Sequence, residues 1–216
     1  MGKKNKLEKR FYTFEIRNKA SENDGEKILE GRPIVYDSWT DLGFFDERIA
    51  KGALDDTDLT DIRFLVNHDT SMIPLARSRR NNGHSTMQLS VDENGMSLDW
   101  VKLDTKNNPT AAALHSAVER GDIDGMSFMF SIEDEEWEDL ESDHPKRTIK
   151  KIGSVVEISA VTFPAYSATS INARSKEALD NARSAVETAR QQKAETVDTG
   201  KELELAKAKY NFNENY

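Results

Sequence analysis

Val155-Val156-Glu157-Ile158-Ser159-Ala160-Val161-Thr162-Phe163 is the stretch from which the rest of the chain is best read. In an extended chain Val155, Glu157, Ser159, Val161 and Phe163 share one face, and Val156, Ile158, Ala160 and Thr162 share the other. Both faces are largely apolar, the pattern of a strand covered on two sides. A carboxylate in such a strand is costly unless it is paired or hydrogen-bonded. Glu157 therefore either meets a partner in the interior or lies at a strand edge and reaches water.

The segments before it are also strand-like. Tyr12, Phe14 and Ile16 alternate with polar residues, as do Met96, Leu98 and Trp100 after the turn signal Glu93-Asn94-Gly95. Ile34 to Tyr36, Ile62 to Val66, Met87 to Val91, Met126 to Ile132 and Thr148 to Ile152 complete the set. So many short strands predict a β-rich α+β domain, a barrel or a sandwich. One helix is well signalled inside it: Asn108 can cap, Pro109 suits a first helical position, Ala111, Leu114 and Val118 recur at helical spacing, and Gly121 is placed to end it. A weaker pattern suggests a second helix around Glu47 to Leu54.

Composition bounds the function. The 216 residues are 37% hydrophobic and 32% charged, enough apolar material for one core and an appendage. A net charge of -9 argues against a partner bound through phosphates. There is no cysteine, which excludes disulfides, thiolate metal sites and a thiol nucleophile. Residues 1–10 form a basic segment without the apolar run of a secretory signal, and no stretch has the length of a membrane span. The expectation is a soluble cytoplasmic protein with no cofactor, no metal, no nucleic acid and no membrane.

Two segments are compositionally distinct. Residues 133–143 carry eight acids in eleven positions and read as a solvated loop or hairpin tip. After about Arg174 the chain turns to Ala, Glu, Lys, Arg and Gln. Leu179, Ala182, Val186 and Ala189 form a thin apolar stripe there, Asp198-Thr199-Gly200 interrupts it, and Leu203, Ala206 and Tyr210 resume it. This predicts a helical, partly flexible tail over 173–216 that holds poorly against the domain, with a coiled coil or partner-binding role.

The chemistry-bearing candidates are few. Of the four histidines, His84 sits in a polar turn, His115 in the helix and His144 beside Pro145, and none shows metal-ligand spacing. His68 ends the strand Ile62 to His68 on the same face as Ile62, Phe64 and Val66, either a satisfied core histidine or a desolvated general base. Gly125-Met126-Ser127 could turn the backbone and present a hydroxyl, although the elbow motif of the hydrolases is missing. Glu157 could orient His68 as the acid of a triad.

Several blocks together resemble the prohead protease family of tailed phages, whose fold is similar to that of the herpesvirus assemblins. They are Gly31 to Tyr36, Gly43 to Ile49 with Gly52, Val66-Asn67-His68-Asp69, Pro74 to Ser78, Gly125 to Phe128, and Glu157 to Tyr166, spread over residues 11–172 in the family's order. The resemblance implies an assemblin-like closed β-barrel flanked by a few helices. It implies a serine endopeptidase with Ser127 as nucleophile, His68 as base and Glu157 as orienting acid, Asp69 being the next candidate. Assemblins use a second histidine as third member, and none follows His144 here. Their oxyanion loop carries an arginine that Pro164 to Ser170 lacks, with Arg77 a substitute to consider. Lys51 and Leu54 depart from the usual proline and aromatic residue.

Implied substrates are the major capsid protein and its scaffold region, cut inside the assembling prohead in the host cytoplasm. Other prohead components, self-cleavage and self-association through the tail belong to the same expectation. The rival is a non-catalytic scaffolding or assembly protein, which the acidic run and Ala/Glu/Lys-rich tail would suit. A carbohydrate hydrolase with paired carboxylates has no motif behind it.

Overall fold

The computed structural model describes residues 7–12, 16–19, 27–162 and 176–213. In chain order the elements are β1 (Leu7–Tyr12), β2 (Ile16–Lys19), β3 (Lys27–Val35), β4 (Thr40–Asp41), β5 (Asp46–Ile49), β6 (Arg63–Val66), β7 (Ala76–Arg77), β8 (Met87–Asp92), β9 (Gly95–Leu103), α1 (Pro109–Arg120), β10 (Gly125–Glu138), β11 (Lys146–Val161) and α2 (Lys176–Asn213). They make an α+β, strand-rich protein.

Two sheets carry the strands. One runs β1-β10-β11-β5-β4, with β6 also on β11 and β7 beside β6; the other runs β2-β3-β9-β8. Among the described residues no set of strand pairings closes either sheet into a ring. The sheets meet at two corners, where Ile16 N–H donates to Asp124 O (3.2 Å) and Thr86 N–H to Arg77 O (3.0 Å). The core between them holds Leu29, Ile34, Met96, Leu98, Met126 and Phe128, with α1 contributing Ala111, Leu114 and Val118. Asn108 caps α1 by accepting from Thr110 and Ala111, and Gly121 ends it at φ 74°.

β11 organises the larger sheet. Its first half pairs parallel with β5, its second half parallel with β6, and antiparallel β10 covers its other edge throughout. The change of parallel partner occurs at a bulge. Ser131 opposes Ser154 and Ile132 opposes Ile152, which leaves Gly153 as the extra residue. A Cβ there would come within 2.9 Å of the Ser131 hydroxyl and Glu133 side chain, so glycine lets the strand bend without breaking. The two strands predicted over 148–152 and 155–163 are thus one.

Two other expectations change and a third is refined. Glu47 to Ala50 is not helical: Asp46–Ile49 is a strand pinned to β11, followed by turns through Asp56. The acidic run is the exposed end of the β10–β11 hairpin, as the hairpin-tip reading has it, but residues 133–138 are paired strand and only 139–143 form the connecting turn. It is tolerated because β11 sets cations against it, Lys151 on Glu133 at 3.2 Å, Lys150 on Glu136, and Arg147 on Glu135. Finally, α2 is helical straight through Asp198-Thr199-Gly200, and Thr199 bonds its hydroxyl back to Glu195 O (2.8 Å). Phe14 and residues 163–175 lie outside the described residues.

The tail helix docks rather than standing apart. Ala182 and Val186 join Leu42 and Phe45 in a small buried cluster, with Trp137 and Ala185 against it. Arg190 donates to Leu140 O (2.8 Å) and Ser142 O (2.7 Å), and Lys193 pairs with Glu141 at 2.9 Å.

Beside that cluster is the most heavily charged buried point among the described residues. Arg147 is 2% exposed and donates to Glu47 (3.0 Å), Glu8 (2.9 Å) and Glu135 (2.8 Å) while lying against the Trp137 and Phe45 rings. One guanidinium thereby ties β1, β5, β10 and β11 together. Removing it takes the guanidinium from the fully buried Glu47 carboxylate, and removing one member of a buried pair typically costs about 3–5 kcal/mol. Arg147→Met should lose about that much in urea unfolding, and Glu47→Gln in the same background should recover a substantial part. At the turn between β8 and β9, Gly95 has φ 132° and a Cβ there would fall 2.1 Å from Ile34 O. Gly95→Ala should cost about 3 kcal/mol in the same assay, the upper end for strained backbone.

Candidate active site

Three strands side by side bring the candidate residues to one place. On β10, Ser127 lies directly opposite Ser159 of β11, so the two side chains share a face. Glu157 is two residues before Ser159 and therefore on that same face. On the far edge of β11, β6 runs parallel, with Val66 opposite Ala160.

His68 is placed by a turn and not by strand alternation. β6 ends at Val66, and Asn67 and His68 both take left-handed backbone conformations, φ 52° and 57°. Two such residues in succession are unusual outside glycine. They fold the chain back over β11 instead of carrying it onward, so the expectation that His68 shares a strand face with Ile62, Phe64 and Val66 does not hold. The turn is tied to β11: Asn67 N–H donates to Ala160 O (2.9 Å), Asn67 Nδ2 to Thr162 Oγ1 (3.0 Å), and Thr162 N–H to Asn67 Oδ1 (2.9 Å).

The result is a continuous relay. Ser127 Oγ is 2.6 Å from His68 Nε2, and His68 Nδ1 is 2.5 Å from Glu157 Oε1. Glu157 Oε2 accepts from Ser159 Oγ at 2.5 Å, and Ser159 Oγ accepts from the His68 backbone N–H at 3.1 Å. All four residues are buried, at 0% exposed for Ser127 and Ser159, 1% for Glu157 and 5% for His68. The buried acid thus has the interior partner that its cost demands. With Nδ1–H directed at the carboxylate, Nε2 faces the hydroxyl as an acceptor, the tautomer a general base requires.

The remaining candidates lie differently. Asp69 is exposed and turns its carboxylate to its own loop, accepting from Ser71 N–H (2.9 Å) and the Ser71 hydroxyl (2.5 Å), which hold it below the usual carboxylate range. Arg77 forks onto Asp61 at 2.6 and 2.5 Å. The loop from Pro164 to Ser170 lies outside the described residues. His84 is exposed, and His115 is buried on the inner face of α1, where desolvation pushes its pKa down. His144 Nε2 sits 3.1 Å from Asp46 Oδ1 and 3.7 Å from Asp41 Oδ1. Those three donors are the ones among the described residues grouped closely enough to hold a metal ion. All are at least partly exposed, and the hydrogen bond between His144 and Asp46 accounts for their grouping.

Gly125 does not make the turn suggested for it. The left-handed glycines are Gly43, Gly52, Gly95 and Gly121, and Gly125 is an ordinary strand residue opposite Val161. Ser127 therefore presents its hydroxyl from a regular strand. Sequence reasoning missed Ser159 and Asn67. A signal for Ser159 was present, since it is the other polar residue on Glu157's face of an apolar strand; Asn67 carried none beyond its tolerance of left-handed backbone.

Comparison with curated proteins and with solved structures returned no match. Residues 13–184 match the family model described as caudovirus prohead serine protease. That match spans most of the 216 residues and includes Ser127, His68 and Glu157. The chain accordingly belongs to the caudovirus prohead serine protease family, serine-type peptidases of phage capsid maturation.

Proposed function

We propose that Ser127 is the nucleophile, His68 the general base and Glu157 the orienting acid of an endopeptidase that cuts capsid and scaffold protein inside the assembling prohead. The observation that supports this best is the unbroken relay from Ser127 Oγ through His68 to Glu157, with links of 2.6 and 2.5 Å. Ser127 Oγ attacks the peptide carbonyl as its proton passes to His68 Nε2. Glu157 stabilises the imidazolium that forms and holds the ring in register. His68 then protonates the leaving amine. Water, activated in turn by His68, hydrolyses the acyl-enzyme and regenerates Ser127.

The same reading extends to the architecture. The two sheets, joined at Ile16–Asp124 and Arg77–Thr86, are the halves of an assemblin-like barrel. Residues 11–172 are the protease domain, and 173–216 are a helical appendage that serves self-association and is open to self-cleavage.

The test is to follow full-length protein and a Ser127→Ala variant by intact mass, with the phage's capsid protein as substrate and a fluorophosphonate probe as a second readout. Fragments and a probe adduct on Ser127 are expected for the wild type alone. Ser127→Ala and His68→Ala should each lower the cleavage rate by about 10⁴-fold or more, because members of such a relay act as a unit. Glu157→Gln should cost about 10³–10⁴-fold with the fold intact. Asp69→Asn should cleave within about twofold of wild type, since its carboxylate faces Ser71; a loss as large as that of Glu157→Gln would transfer the acid's role to it. Wild-type protein that neither cuts nor takes the probe would favour an assembly protein without catalysis.

A further inference from the structure

We infer that Ser159 is a positioning residue that sets both the acid and the base of the relay, an inference that rests on the triad reading above. Its single hydroxyl does two jobs. It donates to Glu157 Oε2 at 2.5 Å and accepts from the His68 backbone N–H at 3.1 Å. The direction of each bond is fixed, because a carboxylate only accepts and an amide N–H only donates.

Each bond removes one freedom that the relay cannot tolerate. A carboxylate at the end of a Glu side chain rotates broadly about its last torsion. With Oε2 held by Ser159, Oε1 is left facing His68 Nδ1. The second bond acts on the backbone. His68 is in a left-handed conformation at φ 57° and buried, so its N–H points into the interior and needs an acceptor. Ser159 supplies that acceptor and so stabilises the turn that swings the imidazole back over β11. The Asn67 bonds to Ala160 and Thr162 anchor the preceding residue, but among the described contacts Ser159 reaches both Glu157 and His68.

Ser159 is fully buried between Ser127 of β10 and Leu65 of β6 in the strand register, so both of its bonds are made away from competing water.

The experiment measures the rate of fluorophosphonate labelling at Ser127, by intact mass, for full-length wild type and for Ser159→Ala, Ser159→Thr and Ser159→Val, with folding checked by thermal melting. Ser159→Ala should label about 10- to 100-fold more slowly, the range seen when outer partners of functional side chains are removed. Thr and Val have nearly the same shape, and Thr alone keeps the hydroxyl. Threonine should restore most of the rate and valine should not, which separates the hydrogen bonds from the volume if alanine fails to fold. Folded variants that label at the wild-type rate, or equal rates for threonine and valine, would overturn the role of Ser159 while leaving the triad standing. Wild type that takes no label at Ser127 would remove both.

Discussion

Everything in this structure depends on a carboxylate placed where water cannot reach it. Glu157 lies in a strand paired on both edges and is 1% exposed, so an ionised side chain there must be compensated locally or the strand is destabilised. The compensation consists of a ring nitrogen and a hydroxyl at 2.5 Å each. Satisfying the acid therefore fixes His68, and fixing His68 requires the two left-handed residues and their bonds to β11. In this sense the cost of burial and the geometry of the relay are one constraint, because no arrangement of the turn that leaves Glu157 unpaired is stable.

How much of this was readable beforehand follows from which effects are local. The alternation around Glu157 marked a doubly covered strand, and the capping residues Asn108 and Gly121 marked α1, because both patterns are written within a few residues. The order of the sequence blocks pointed to Ser127, His68 and Glu157, and the fold brings those three together. What could not be read were features decided at a distance. The weak helical pattern around Glu47 to Leu54 gives way to a strand over Asp46–Ile49 and to turns after it, because β11 pairs with the first part. The gap between the strands expected over Thr148 to Ile152 and from Val155 onward is instead a bulge at Gly153, where the side chains of Ser131 and Glu133 leave no room for a Cβ. The backbone of Asn67 and His68 is set by contacts with residues 159, 160 and 162, which no local pattern announces.

The charged segments teach the same lesson in electrostatic form. Eight acids in eleven positions pointed to a solvated loop or hairpin tip, and the second is what forms. The repulsion is real, but Lys150, Lys151 and Arg147 on the facing strand absorb it, and the segment becomes half of a long hairpin. Arg147 is the extreme case. Its three carboxylate partners come from three different strands, so its pairing records the assembly of the sheet rather than a local ion pair. The Ala and Val stripe of α2 was likewise judged too thin to dock, and it docks because Phe45 and Trp137 supply the bulk that it lacks.

The length of that hairpin separates two parts of the molecule. From Ser127 to the end of β10 at Glu138 an extended chain travels about 36 Å, at roughly 3.3 Å per residue. The relay lies near one end and the seat of α2 near the other. The packing of α2 and the geometry of the relay thus share one pair of strands yet draw on different stretches of it, so a substitution that loosens the helix's seat at Phe45 or Trp137 acts many residues away from Ser127, His68 and Glu157.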